Sequence, residues 1–324
     1  MSAATADARD IATAVAALRA GQLVAFPSET VYGLGADASN PDAVRRIFEA
    51  KGRPADHPVI VHVASAAQMG DWARDIPPSA FALAEAFWPG PLTLVLRRRP
   101  HVSDLVTGGQ DTVGIRVPSH PVAQALLQAF GGGVAGPSAN RFGRISPTTA
   151  AHVREELGDR VDIVLEGGES DVGIESTIID LSGPEPALLR PGMLDIARAE
   201  ALLGMPLRSP GIASPRVSGM LASHYAPRTP TRLVTPDALV AAVQATNARV
   251  AVLARRPRPA ELPATRWIEA PASATAYAHD LYASLRTLDH AEVDLILVEA
   301  VPASSDWTAI RDRLGRAATR PETP

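Results

Sequence analysis

There is no cysteine in this chain, and only one lysine among its 31 basic residues. The first absence excludes disulfides, thiolate zinc sites and cysteine nucleophiles. The second means that arginine supplies nearly every surface cation, so Lys51 stands out. Aromatic residues amount to 4%, which leaves little for stacking on unpaired bases. No apolar run approaches the length that spans a bilayer, and the first ten residues lack a basic-then-apolar leader pattern. A net charge of −4 argues against a broad nucleic-acid surface. The expectation is a cytoplasmic enzyme or binding protein of about two domains, each with its own core.

What is present organises itself by apolar period. Short strands are expected at 23–26, 59–63, 92–96, 113–117, 161–165, 176–181 and 187–190. Asn40-Pro41-Asp42 predicts a helix start: an Asn cap, a proline in the first turn and an acid at the positive dipole end. That helix ends at Gly52, placing Lys51 and Arg53 at its exit. Further helices are expected at 121–130 and 195–203, and Ser146-Pro147 repeats the cap-plus-proline signal, predicting a helix to Leu157. Strands and helices interleave without strict alternation, which predicts a mixed, twisted α/β sheet. From 206 to 230 no period persists, and proline, glycine, serine and arginine dominate. After it come strands at 249–254 and 293–298 with helical spacing at 236–245, 273–290 and 305–318. The expected organisation is a catalytic domain over 1–206, a linker over 207–230 and a smaller α/β domain over 231–324.

Gly33-Leu34-Gly35-Ala36-Asp37-Ala38 matches a loose dinucleotide fingerprint, but a polar turn from Pro27 to Gly35 separates it from the preceding strand. The fingerprint needs its glycines to join a strand directly to a helix. Four other clusters are more coherent: Pro27 to Gly35; Lys51-Gly52-Arg53 with His57-Pro58 and His62; Pro137-Ser138-Ala139-Asn140 through Ser146; and Gly173-Ile174-Glu175-Ser176-Thr177 with Arg190-Pro191-Gly192. Each alone suits a turn or cap. Together they offer cations, hydroxyls and an expected helix N-terminus at Ser146, a set that suits a polyphosphate. Arg116, among short-chain neighbours, suits a bidentate contact with a substrate carboxylate. No Ser-His-Asp order and no His pair with metal-ligand spacing is present. Such a set points to nucleotide-dependent transfer by positioning and charge stabilisation.

Phe26-Pro27-Ser28-Glu29-Thr30-Val31-Tyr32-Gly33-Leu34-Gly35, Lys51-Gly52-Arg53-Pro54, Pro137-Ser138-Ala139-Asn140 and Glu175-Ser176-Thr177 resemble, in order, the signatures of the YrdC-like family. The likeness covers roughly residues 10 to 205. His224-Tyr225-Ala226-Pro227, with the α/β unit after it, resembles the family's longer, two-domain form. The resemblance implies an open, twisted α/β sheet around a cationic groove, plus a smaller Rossmann-like C-terminal domain. It also implies a reaction in which L-threonine, bicarbonate (or CO2) and ATP give threonylcarbamoyl-adenylate and pyrophosphate. A separate transferase would then pass the threonylcarbamoyl group to an adenosine beside the tRNA anticodon.

Carried over position by position, the resemblance implies that Thr30, His62, Arg116, Gly136 and Ser176 contact threonine, with Arg116 on the carboxylate. The ATP side would use Lys51, Arg53, His57, Thr112, Ser138, Asn140, Ser146, Arg190 and Tyr225, with Lys51 and Arg53 also catalytic. His57 stands where the family carries asparagine; a histidine there can still donate a hydrogen bond. The linker is longer than the family pattern, the added length falling at 212–219. Mg2+ is expected with ATP, no carboxylate cluster identifies its ligands, and no organic cofactor is implied. Neither membrane association nor stable nucleic-acid binding is expected. Two other readings stand beside this one: a double-stranded RNA-binding module without catalysis, and a carbamoyl-adenylate transferase of the same broad family.

Overall fold

The computed structural model describes residues 5–211, 214–220, 224–262 and 266–319. Ile212 and Ala213, the start of the added linker length, lie outside the described residues. The chain divides into two compact units. The first comprises the chain to Phe142, Pro147–Asp171 and Glu175–Met220; Gly143–Ser146 and Val172–Ile174 belong instead with the chain after Met220.

The first unit is built on a nine-stranded mixed sheet. Its strands are β1 (Val24–Phe26), β2 (Gly33–Asp37), β3 (Ile60–His62), β4 (Leu92–Arg97), β5 (Thr112–Arg116), β6 (Val134–Ala135), β7 (Ile163–Val164), β8 (Thr177–Asp180) and β9 (Ala187–Arg190). They lie in the order β7-β1-β2-β6-β3-β5-β4-β8-β9. The helices are α1 (Ala8–Arg19), α2 (Pro41–Lys51), α3 (Met69–Trp72), α4 (Pro78–Phe87), α5 (Asp104–Thr107), α6 (Pro121–Phe130), α7 (Ala150–Leu157) and α8 (Ile196–Leu203).

Strand directions place the functional end of the sheet. β3 and β5 are parallel, while β4 runs antiparallel to β5 and parallel to β8. The carboxyl ends of β3 and β5 therefore meet the amino ends of β4 and β8. His62 and Arg116 are register partners there, and Thr93 and Ser176 follow on the neighbouring strands. β9 runs antiparallel to β8, so its last residue, Arg190, reaches the same end.

Helix α2 forms as its sequence dictates. The Asn40 side chain accepts hydrogen bonds from the Asp42 and Ala43 amides at 3.0 and 3.2 Å, a cap worth about 1 kcal/mol. Its apolar stripe of Val44, Ile47 and Phe48 is buried against the sheet's core, each such side chain contributing roughly 1.5–3 kcal/mol.

Two expectations fail for identifiable reasons. The stretch 27–35 is not wholly a turn, because Gly33–Asp37 is strand β2, paired antiparallel to β1 with Phe26 opposite Gly33. Leu34 and Ala36 enter the core from it. Ser146 does not cap a helix: α7 starts at Ala150, and Thr149 Oγ1 accepts from the His152 amide at 3.2 Å. The residues between are committed elsewhere. The Pro147 carbonyl accepts from the Tyr32 amide at 2.9 Å and the Thr148 carbonyl from the Ser170 amide at 3.0 Å. The helix therefore starts only at Ala150, and no helix terminus at Ser146 is present to receive an anion.

Part of the expected linker is ordered on the first unit. Arg208 forms an isolated bridge with Ala187 beside β9. The Arg216 amide donates to Gln110 Oε1 at 2.7 Å, and its guanidinium to the Gly108 carbonyl at 2.9 Å.

The second unit holds a four-stranded sheet of β10 (Thr231–Val234), β11 (Val250–Ala254), β12 (Arg266–Glu269) and β13 (Leu295–Glu299), in the order β10-β13-β11-β12. All pairs are parallel. Its helices are α9 (Leu239–Gln244), α10 (Ala274–Asp289) and α11 (Thr308–Ala318). Leu239, Val243, Val252 and Leu297 form its core, and the crossover helices follow from the need to join parallel neighbours. Among the described residues no helix is long and apolar enough to cross a membrane.

Candidate active site

The turn after β1 brings two buried side chains, Glu29 and Thr30, onto Arg116. Its Nη1 donates to Thr30 Oγ1 at 2.8 Å and its Nη2 to Glu29 Oε1 at 2.6 Å. Its Nε reaches the Gly90 carbonyl at 3.3 Å. Thr30 Oγ1 also lies 2.9 Å from Ser28 Oγ. The Arg116 and Glu29 side chains are 5% and 6% exposed, so this is a buried ion pair, further tied by the Ser119 amide donating to Glu29 Oε2. The Arg116 guanidinium is therefore already engaged by Glu29, a residue not among those expected at the site.

His62 sits beside this group, edge-on to the Phe26 ring at 5.5 Å. It is buried, and among the described residues its Nδ1 has no hydrogen-bond partner. Burial, and after it the Arg116 charge, push its pKa down to about 3, so the imidazole is neutral. Gly136 faces it: a Cβ there would lie 2.9 Å from His62 Nδ1 and 3.1 Å from the Phe26 ring. Glycine at 136 is what keeps that nitrogen's surroundings open. Thr30, His62, Arg116 and Gly136 are thus brought together.

Lys51 ends α2 with its ammonium buried. Nζ donates to the Ser138 carbonyl at 2.5 Å and the Asn140 carbonyl at 2.6 Å. These bonds fix the Ser138–Asn140 turn around one positive charge, joining three of the expected ATP-side residues. Burial foremost, then the Arg53 charge, holds the Lys51 pKa well below its ordinary value.

Arg53 and Arg190 converge on one residue of the linker segment. Arg53 Nη2 donates to the Pro58 carbonyl at 2.8 Å and to Ser218 Oγ at 3.2 Å. Arg190 Nη1 donates to the Ser218 carbonyl at 3.0 Å. Arg190 also holds Ser176, whose Oγ lies 2.8 Å from Thr93 Oγ1. Thr112 starts β5, at the opposite end from Arg116, and lines a cleft with Pro58, Val217 and Ser218. His57 is half-buried and stacks edge-on against Phe142 at 5.4 Å. Burial, and then the Arg53 charge, lower its pKa. Ser146 and Tyr225 fall in the second unit. Ser146 is buried there. Tyr225 is buried under the Arg313 guanidinium, 5.2 Å from its ring centroid.

The Sua5_yciO_yrdC family model, described as telomere recombination, matches residues 16–192. The model of the threonylcarbamoyl-AMP synthase C-terminal domain matches residues 195–319. The threonylcarbamoyl-AMP synthase of Pyrococcus abyssi (strain GE5 / Orsay) is 40% identical over 314 residues, covering 93% of this chain and 91% of the relative.

The chain belongs to the threonylcarbamoyl-AMP synthase family.

The Bacillus subtilis (strain 168) threonylcarbamoyl-AMP synthase is also 40% identical, over 95% of this chain and 92% of its own. The crystal structure of P. abyssi Sua5 complexed with L-threonine matches with a TM-score of 0.88 at 39% identity, covering 95% of this chain and 94% of that one. Both units are therefore family units, and the mixed α/β architecture with a second, smaller domain is that of the synthase family.

Glu29, Thr93 and Ser218 bond directly to residues expected at the site but were not themselves expected there. Glu29 carried a signal: a carboxylate in an otherwise apolar and hydroxyl stretch needs a buried cation. Ser218 carried none, since nothing in a proline- and serine-rich linker marks one serine. Among the described residues no group of three or more His, Asp or Glu side chains is placed to hold a metal ion.

Proposed function

We propose that this chain makes L-threonylcarbamoyl-AMP from L-threonine, bicarbonate or CO2, and ATP, releasing pyrophosphate. The observation that carries the reading is the likeness along nearly the whole chain to a structure complexed with L-threonine. It is joined to a hydroxyl, guanidinium and neutral imidazole cluster suited to an amino acid. The same full-length likeness favours this reading over an RNA-binding module or a carbamoyl-adenylate transferase.

In the proposed reaction CO2, supplied directly or by dehydration of bicarbonate, is attacked by the neutral threonine amine, whose nitrogen then gives a proton to water and leaves a carbamate. A carbamate oxygen then attacks the α-phosphorus of ATP, and the bond to the β-phosphate oxygen breaks. Arg116 and Thr30 would take the threonine carboxylate, with Ser176, Gly136 and neutral His62 around the amino acid. Arg53 and Arg190 would meet the phosphates, and Lys51 would supply a fixed charge beneath the Ser138–Asn140 turn. Mg2+ would enter as the companion of ATP, held by its phosphates. The product would pass to a tRNA threonylcarbamoyl transferase in the cytoplasm.

The test is pyrophosphate release from ATP and bicarbonate. The reading expects release only when threonine is present; release indifferent to threonine overturns it.

A further inference from the structure

An open parallel sheet offers a binding crevice outside the carboxyl ends of its strands, where two neighbours send the chain in opposite directions. In the second unit β11 and β13 are such neighbours. The chain leaves β11 toward β12 on one side, and leaves β13 for α11, which packs on β10 at the other.

Charged and aromatic side chains meet at that end of the sheet. Glu299 closes β13 and is buried. Both its oxygens are taken: Oε2 accepts from the Arg255 amide at 2.6 Å, and Oε1 from Arg256 Nε at 2.9 Å. Arg256 thus balances the Glu299 charge, and the Arg255 guanidinium is not part of that pair. It lies instead 5.3 Å from the centroid of the Trp307 ring. Trp307 in turn stands edge-on, at 5.4 Å, to Tyr277 in the first turn of α10.

Two buried donors remain here. Tyr277 is 1% exposed, and its hydroxyl has no hydrogen-bond partner among the described residues. The same is true of Arg255 Nε. Burial, and after it the Glu299 charge, push the Tyr277 pKa up against the pull of the Arg255 charge. The phenol therefore keeps its proton and lies within the field of that guanidinium. A buried donor without an acceptor is costly, and these two call for the same thing: oxygen atoms carrying negative charge.

We infer that the carboxyl end of the second unit's sheet is a binding site for a small oxyanion, a phosphate or carboxylate group, held by Arg255 and Tyr277 beside Trp307. The guanidinium supplies the charge and a fixed donor edge, and the phenol a second donor. Glu299, neutralised by Arg256, anchors the Arg255 backbone without occupying its side chain. All of these residues lie in the second unit, so the site stands or falls apart from the proposed reaction.

The full chain is titrated with inorganic phosphate and, separately, with acetate at constant ionic strength. Tryptophan emission is followed, because the Arg255 cation lies over Trp307. Arg255→Gln should weaken binding by about tenfold or more, and Tyr277→Phe by about threefold or more. A response to phosphate alone assigns a phosphate ligand, and a response to acetate a carboxylate; either supports the site. Anion binding elsewhere in the chain would survive both substitutions, so a response that both variants keep overturns the inference, as does no response to either anion. Tyr277→Phe carries a second readout. In chloride alone its melting midpoint should equal or exceed the parent's, since the change removes a donor without a partner. A lower midpoint there would show that the hydroxyl is bonded within the protein, which also overturns the site.

Discussion

Arg190 holds Ser176 at two points, its Nε donating to the carbonyl at 3.0 Å and its Nη2 to the hydroxyl at 3.1 Å. Its remaining arm reaches the Ser218 carbonyl, and Arg53 reaches the Ser218 hydroxyl. One guanidinium thus joins the expected threonine side to a linker residue that the expected phosphate side also touches.

A lysine cannot reproduce that planar fork. Arg190→Lys should lower kcat/KM for threonine and for ATP together, each by about tenfold or more. Initial rates with each substrate varied in turn would check it. A loss confined to one substrate would contradict the bridging role.

Ser218 occupies donors of Arg53 and Arg190, the two arginines proposed to meet the phosphates. Its hydroxyl bond to Arg53 is long, at 3.2 Å, and such a bond is worth about 0.5–1.5 kcal/mol net. Ser218→Ala should therefore lower the KM for ATP by roughly two- to tenfold. A raised KM would mean that the hydroxyl aids nucleotide binding instead of competing with it.

Glu29→Gln removes one charge from a pair whose side chains are both under a tenth exposed. Arg116 would then be left buried without its counter-charge. Breaking such a pair costs about 3–5 kcal/mol, readable as a lower urea midpoint at unchanged slope. A loss below about 1 kcal/mol is what an exposed pair would show, and would contradict the burial.

His62 makes stability depend on acid. Its folded pKa of about 3 lies below the value near 6.5 of an unfolded histidine. Between those values the unfolded chain binds a proton that the folded chain does not. Stability is therefore complete above about pH 6.5 and falls on acidification by up to about 1.4 kcal/mol per pH unit, down to about pH 3. His62→Gln should flatten that slope relative to the parent. Parallel pH profiles for the two proteins would show that the imidazole is not held neutral.

Much of this was legible from residue order alone. α2 was readable because Asn40, Pro41 and Gly52 punctuate an apolar stripe, and the central strands because they are short, mostly apolar runs. β2 was obscured by its glycines, whose pairing with β1 is decided by the core and not by local propensity. Ser146-Pro147 gave a false helix start because the Pro147 and Thr148 carbonyls are claimed by Tyr32 and Ser170. β10 and β12 escaped notice because both are short edge strands of the second sheet, with only Val234 among their residues buried. The site followed the same division. Lys51, Arg116 and Ser176 announce themselves by type and motif, whereas Glu29 and Ser218 matter through partners that only folding brings near.

The most direct test of the proposed chemistry follows carbon and phosphorus together. The chain is incubated with threonine, carbon-labelled bicarbonate and ATP labelled at the α-phosphate, and the nucleotide products are separated at once. The account predicts one threonine-dependent product carrying both labels in equal amounts. Labels that appear only in separate products, or a doubly labelled product that forms without threonine, would contradict it.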